Sequence, residues 1–596
     1  MRSEPPSRAR PRPVRPEGAP ASRRAQGPRL LRAAARPILI AAAMLTILFV
    51  GPAPSSARVA PALETILQDD AQLLYRPEPV VQEILAELRA LGVDRVRVTA
   101  GWSVMTRTPD SATRPSFDAT DPAAYDATRW AALDRVVSLA PHYGLKVMID
   151  VGFWAPHWAA SDPPGPRART DIDPGAFRDF AVAVARRYSG SFVPATSPDA
   201  LPVLVPNGSD DQFLAELLGQ SNPAGGPAGL GTLLSPAAIL PLGPRPLPRV
   251  DVLTLWNEPN HPGFLLPQWS GGGAHRSPAS PAAYRTMVDA AYPAIKRARP
   301  DATVLVGATA ASASQDTGSD GVPPLAFVRA LACVDSRLRT LRSPDCRGFQ
   351  PVPGDGWAHH PYSLRTLPDA VDPGRPDDAQ IGELPRLARL LGQLVARGRL
   401  APGLANLWIT EDGYETGPRS VRAPFGPYDQ ARFLTWSEFL AWQTPGVRSF
   451  AQFLLRDIIP ATPAGAGAHE QAGEWRSGLE RADGTAKPAA TTFRIGLLAL
   501  RAGGTLRLWG RLRGFPAPRL VMLEAAAPGG RFAALTTVDA TGGGGPGTIV
   551  SVAPGQVIDR RAALPGNPDT RYRLRVLGPS GPLIDQLGLA VPLVGG

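Results

Sequence analysis

From about residue 65 to residue 455 the chain alternates between short apolar runs and amphipathic stretches at helical spacing. Short apolar runs separated by crossovers long enough to hold a helix are the pattern of a parallel sheet covered by helices. Val80, Val81, Ile84, Leu85, Leu88 and Leu91 fall on one helical face, and Gly92 is placed to end that helix before an expected strand over 95–99. Trp130, Leu133, Val136 and Val137 line a second helix ahead of a strand at 145–151. Phe177, Phe180, Val184 and Tyr188 line a third, with a strand at 250–256 next after a long interruption. Tyr284, Val288, Ala291 and Ile295 lead to a strand at 303–307, and a helix near 323–334 leads to one ending in Trp357-Ala358-His359-His360. Ile381, Leu384, Leu387, Leu391 and Leu394 lead to a strand at 407–410, and a helix around 433–440 leads to the last, at 449–455. With an early strand expected around Ala71–Leu74, the strands suffice to close a (β/α)8 barrel.

The expected barrel domain spans 58–495. Residues 193–247, rich in Pro, Gly, Leu and Ala with weak periodicity, read as an insertion between the third helix and the fourth strand. Residues 458–474 read as a loop over the barrel mouth. Over 503–596 the texture changes to short alternating strands, such as 505–508, 520–523 and 572–576, between Gly- and Pro-rich turns. That is the pattern of a small all-β sandwich, roughly of immunoglobulin-like type. With no aromatic platform in its sequence, a structural role is preferred to polysaccharide binding.

The formal net charge of +11 suggests a nucleic-acid or membrane partner until it is located. Residues 1–36 carry ten arginines against Glu4 and Glu17, a local +8 that leaves about +3 for the rest. The basicity therefore belongs to the leader, and no basic stripe interleaved with aromatics marks the body, so nucleic acid is not an expected partner. Ile38 to Val50 is uncharged and mostly apolar, and Gly-Pro-Ala-Pro-Ser-Ser-Ala follows, ending at Ala57. This is the order of a secretory signal, which makes 1–57 a signal peptide or an N-terminal membrane anchor and the protein secreted or held in the cell envelope. As a helix the apolar run rises only about 20 Å, short of a hydrocarbon core of roughly 30 Å. Cys333 and Cys346 are the two cysteines, and in an exported chain a disulfide between them is expected. No Cys/His cluster has zinc-finger spacing and His-Glu-x-x-His is absent, so neither metal nor cofactor is expected.

Two strand ends carry the chemistry. Trp256-Asn257-Glu258-Pro259-Asn260 closes the fourth strand, and Leu407-Trp408-Ile409-Thr410-Glu411-Asp412-Gly413 closes the seventh. Side chains at the carboxyl ends of barrel strands face the active-site mouth. A glutamate held there among apolar neighbours keeps its proton near neutrality and can give it to a departing oxygen, while a second carboxylate across the mouth attacks as a nucleophile. The pair of motifs resembles glycoside hydrolase clan A, particularly families 5 and 39, over about residues 65–495. The resemblance implies Glu258 as acid/base, Glu411 as nucleophile, retention of configuration and an equatorial, β-type glycosidic bond.

The same resemblance assigns Arg97 to hydrogen-bonding the nucleophile and His360 with Tyr362 to its vicinity, the adjacent His359 leaving that register open. Asn257 is placed to hold the sugar beside the reacting bond. Trp102, Trp154, Trp158 and Trp475 lie near strand ends, where aromatic faces stack on sugar rings. Phe153-Trp154-Ala155-Pro156-His157-Trp158 departs from the simpler His-containing third-strand motif of many family 5 enzymes. The expected activity is retaining hydrolysis of a poly- or oligosaccharide. A transglycosidase on the same site and a non-catalytic, carbohydrate-binding envelope protein are the alternatives.

Overall fold

The computed structural model describes residues 62–163, 165, 167–195, 245–272, 276–313, 320–417, 424–459, 475–540, 546–578 and 586–594. The expected leader, most of the 193–247 insertion and most of the 458–474 loop lie outside these residues. Eight parallel strands close a barrel: β1 (Glu64–Gln68), β2 (Arg95–Gly101), β3 (Lys146–Gly152), β4 (Val252–Leu255), β5 (Thr303–Ala310), β6 (Gly356–His360), β7 (Leu407–Ile409) and β8 (Val447–Phe453). Each pairs with its sequence neighbours, and β1 meets β8 in register from Glu64↔Ser449 to Gln68↔Phe453.

The first strand is a correction to the sequence expectation. Ala71 and its neighbours form a short helix, Asp70–Leu73, capped by the Asp69 carboxylate on the Gln72 N–H, and the strand lies just upstream. Elsewhere the apolar spacing places the elements as expected. In the helix Glu78–Leu91, Val81, Ile84, Leu85 and Leu88 are buried, and Gly92 ends it in a left-handed conformation at φ 80°.

The C-terminal domain opens at β9 (Ile495–Ala502), directly from the helix Pro488–Arg494 and ahead of residue 503. The expected all-β unit is one curled sheet. Val591–Val594 pairs with β9 on one side and with Arg571–Val576 on the other, so the two layers share a strand. The sheet wraps its own core, which includes Leu497, Leu508, Val521, Leu523 and Leu574. It is also built into the barrel. Arg511 and Arg513, both on or just beyond β10 (Thr505–Leu512), pair with Glu438 of the helix Pro427–Gln443, and all three side chains are buried. Trp509 packs against Phe439 and Trp442 of the same helix. A Cβ added at Gly514 would lie 1.9 Å from the Ala90 carbonyl oxygen, so only glycine fits there. The helix Pro427–Gln443 follows the strand that carries Glu411, so the sheet buttresses that side of the barrel. Among the described residues, no helix is long and apolar enough to cross a membrane.

Candidate active site

At the carboxyl end of β4 the chain makes two left-handed steps, at Trp256 (φ 66°) and Glu258 (φ 38°). Such conformations cost non-glycine residues of order 1–3 kcal/mol and persist only where surroundings enforce them. Here the enforcement is visible. The Trp256 N–H donates to the Val151 carbonyl at 2.8 Å, and the Glu258 N–H to the Ala308 carbonyl at 2.9 Å. Asn260 ties the same loop to β5, accepting from the Ala310 N–H at 2.8 Å and donating to the carbonyls of Ala310 and Val322. The second asparagine of the β4 motif is thus a loop anchor, and the outcome of the two twisted steps is a Glu258 side chain aimed into the barrel mouth.

Glu411 reaches the same place from the end of β7. Arg97, fully buried on β2, donates to its Oε1, and the Tyr362 hydroxyl donates to its Oε2 at 3.0 Å. His360 Nδ1 lies 3.0 Å from Glu258 Oε1 and 3.6 Å from Glu411 Oε2. One donor atom from each of Glu258, His360 and Glu411 lies within 4.8 Å of the others. The structure also resolves the His register. His360 faces the carboxylates, whereas His359 points the other way, to Thr309 Oγ1 at 2.9 Å and the Ala379 carbonyl at 2.7 Å.

The environments of the two glutamates differ. Burial pushes the Glu258 carboxyl up, and the nearby Glu411 charge pushes in the same direction; only the His360 contact and the more distant Arg97 charge oppose them. Burial also raises Glu411, but there a guanidinium and a phenol act directly on the two oxygens and favour the charged form. Burial holds the His360 ring at about 4, so it is a neutral partner near pH 7. Two carboxyls this close resist double ionisation. Within such a pair the direct guanidinium and phenol contacts favour the negative charge on Glu411. The same three donor atoms could hold a metal ion, but the guanidinium on Glu411 already places a permanent positive charge at that spot.

Behind this pair stands a layer that the sequence reading missed. The Gln68 Oε1 of β1 and the Asn257 Oδ1, 3.3 Å away, accept from Arg97, and Asp150 of β3 faces the same guanidinium at 3.3 Å. The Thr254 hydroxyl of β4 donates to Asp150. The one available signal was an aspartate inside the apolar run Val147-Met148-Ile149-Asp150-Val151. Asn257, expected at the sugar, is thus also a brace for Arg97.

The tryptophans divide. Trp102 is corrected: its ring is 1% exposed, stacked on Phe180 at 5.8 Å and met by Phe177 and Trp158, so no face is left for a sugar. Trp154 is also corrected as an open platform. It is 3% exposed, stacked on Phe264 at 6.0 Å, covered by Arg167 at 5.3 Å and hydrogen-bonded to the Gly263 carbonyl. Trp158 is half-buried with Arg114 5.4 Å over its ring. Trp475 lies beside Tyr362, half-buried and edge-on to it at 5.6 Å and to Phe453 at 5.7 Å. Cys333 and Cys346 form a disulfide.

No family model matches the sequence, and no curated protein matches it either. Solved structures do resemble the fold. A family 39 glycoside hydrolase from Bacteroides cellulosilyticus WH2 superposes with a TM-score of 0.44 at 15% identity, covering 85% of this chain and 81% of that one. An endo-β-1,4-mannanase from Thermotoga petrophila gives 0.35 at 10% identity over 90% and 98%. A GH5_18 protein from Streptomyces cattleya, solved with GlcNAc, gives 0.37 at 17% identity over 72% and 78%.

Proposed function

We propose that this chain is a retaining glycoside hydrolase acting on an equatorial, β-type bond of an oligo- or polysaccharide. The observation that carries the reading is the carboxylate pair: oxygens of Glu258 and Glu411 within 4.8 Å, in environments that separate proton from charge. Retaining enzymes hold their carboxyls about 5–5.5 Å apart and inverting ones roughly 6.5–9.5 Å, to admit a water between them. The closer spacing fits direct attack by one carboxylate.

In the first step Glu258 gives its proton to the leaving oxygen as a Glu411 oxygen bonds to the anomeric carbon and the glycosidic bond breaks. In the second, the Glu258 carboxylate takes a proton from water, whose oxygen attacks the same carbon. The bonding pair then returns to Glu411. Tyr362 and Arg97 keep Glu411 ionised before the first step. The neutral His360 offers Glu258 a partner that does not strip its proton. An extracytoplasmic site of action belongs to the same proposal, supported by the leader composition of residues 1–57 and by the disulfide.

The test is an activity screen on aryl β-glycosides and a panel of β-linked polysaccharides, with Glu411→Gln as control. Labelling by a 2-deoxy-2-fluoro glycoside follows, with the label located by peptide mass. Turnover with Glu411→Gln at the wild-type rate, or label on a residue other than Glu411, refutes the assignment.

A further inference from the structure

Asp150 is a buried carboxylate that the reaction above does not use, yet it faces the group that controls the nucleophile. It is fully buried, its Oδ1 lies 3.3 Å from Arg97 and accepts from the Thr254 hydroxyl, and its Oδ2 has no hydrogen-bond partner. The charged and titratable groups around it are Arg97 of β2, Glu411 beyond β7, the half-buried Asp70 of the helix Asp70–Leu73, and Tyr284 of the helix Ser280–Ala298. Arg97 therefore has two carboxylates competing for one guanidinium.

Resting on the double-displacement reading, we infer that Asp150 is a positioning residue that serves as counter-ion to Arg97 in the covalent intermediate. When Glu411 bonds to the anomeric carbon it becomes a neutral ester, and its charge no longer balances the guanidinium. Arg97 is fully buried and permanently charged, so an intermediate without Asp150 would hold that cation with no carboxylate charge in direct contact, in a low-dielectric site. Asp150 removes that penalty. It also acts before the reaction. By sharing Arg97 it prevents the guanidinium from binding Glu411 so tightly that the carboxylate loses its nucleophilic strength.

The inference has a directional signature. Asp150→Asn leaves Glu411 as the one carboxylate in ion-pair contact with Arg97, with Asp70 acting only from farther off, which stabilises the free enzyme and destabilises the glycosyl-enzyme. Formation of the intermediate then slows, and its hydrolysis accelerates. Damage to packing alone would slow both steps. The probes are the 2,4-dinitrophenyl 2-deoxy-2-fluoro-β-glucoside and β-xyloside, with labelling and reactivation each timed by intact mass. With Asp150→Asn, labelling is expected to slow by roughly tenfold or more, about one pKa unit's worth of charge stabilisation, while the labelled form reactivates faster than wild type. Thr254→Val, which removes only the hydroxyl from Asp150, moves both rates the same way by a smaller factor and decides the matter if Asp150→Asn does not fold. Labelling at the wild-type rate, or slow labelling with an unchanged or longer-lived adduct, overturns the role of Asp150. A wild-type protein that hydrolyses aryl β-glycosides but forms no adduct overturns the double-displacement reading itself, and the counter-ion role with it.

Discussion

Replacing Arg97 by methionine isolates the electrostatic core of the site without any substrate. Methionine keeps the apolar stem and removes the cation shared by Glu411, Asp150 and Asp70. Breaking a buried pair by removing one partner typically costs about 3–5 kcal/mol, because the other charge is left uncompensated. Against a usual total stability of about 5–15 kcal/mol, that is a large loss. The loss must depend on pH, and its sign follows from the protonation equilibria. With Arg97 present, Asp150 is already held up at about 6, chiefly by burial. Without the guanidinium it rises further, and Glu411 rises with it. An acid whose folded pKa lies above its unfolded value, about 3.9 for aspartate, binds more protons folded than unfolded across that interval, so stability falls as pH rises. The variant's extra loss over wild type is full above its own raised pKa values and vanishes below the wild-type folded ones, about 6 for Asp150, where both proteins hold the acid protonated.

Arg97→Met is therefore expected to lose about 3–5 kcal/mol near pH 8, and only about 1–2 kcal/mol near pH 5, where lost hydrogen bonds remain. Urea unfolding followed by circular dichroism at both pH values measures this. An equal loss at the two pH values would refute the claim that charge compensation is what Arg97 supplies. A negligible loss at both would refute its burial among carboxylates.

Other expectations follow from the same reasoning. Wild-type protein should unfold at a higher urea midpoint near pH 5.5 than near pH 8, because Asp69 is raised to about 7 and Asp70 and Asp150 to about 6, all chiefly by burial; a flat or reversed trend would contradict this. Glu438→Gln leaves Arg511 and Arg513 buried without their shared carboxylate. It should cost about 3–5 kcal/mol and speed proteolysis of the C-terminal sheet, with activity per folded molecule unchanged. Trp475→Ala should raise KM for an aryl glycoside by roughly tenfold, the worth of one aromatic contact of about 1.5 kcal/mol. A drop in kcat with KM unmoved would show instead that Trp475 serves only to pack Tyr362.

How much of this could be read in the sequence depends on how locally each feature is determined. Glu258 and Glu411 were legible because a strand end defines the direction of a side chain, and both motifs carry their strand with them. The place of Arg97 late on β2 was legible for the same reason. The first strand was not. Glu64-Thr65-Ile66-Leu67-Gln68 has only two apolar residues, and the more apolar segment after it is turned into a helix by the Asp69 cap. Nor was the curl of the C-terminal sheet legible, because it rests on Val591–Val594 bridging two strands far away in sequence.

The tryptophans show the limit most clearly. Trp102, Trp154 and Trp475 all lie near strand ends, and the sequence offered the same reading for each. What separates them is what packs against the ring: Phe180 for Trp102, Phe264 and Arg167 for Trp154, and the edges of Tyr362 and Phe453 for Trp475. Those neighbours come from a helix and from loops elsewhere in the chain, so no local pattern could have told a covered ring from a half-buried one. Asp150 was hidden for the complementary reason. Its strand reads as apolar core, and its meaning lies wholly in facing an arginine that another strand presents. A carboxylate pair needs two residue types at two strand ends, whereas the charge balance around it is distributed over several strands and emerges only when the barrel closes.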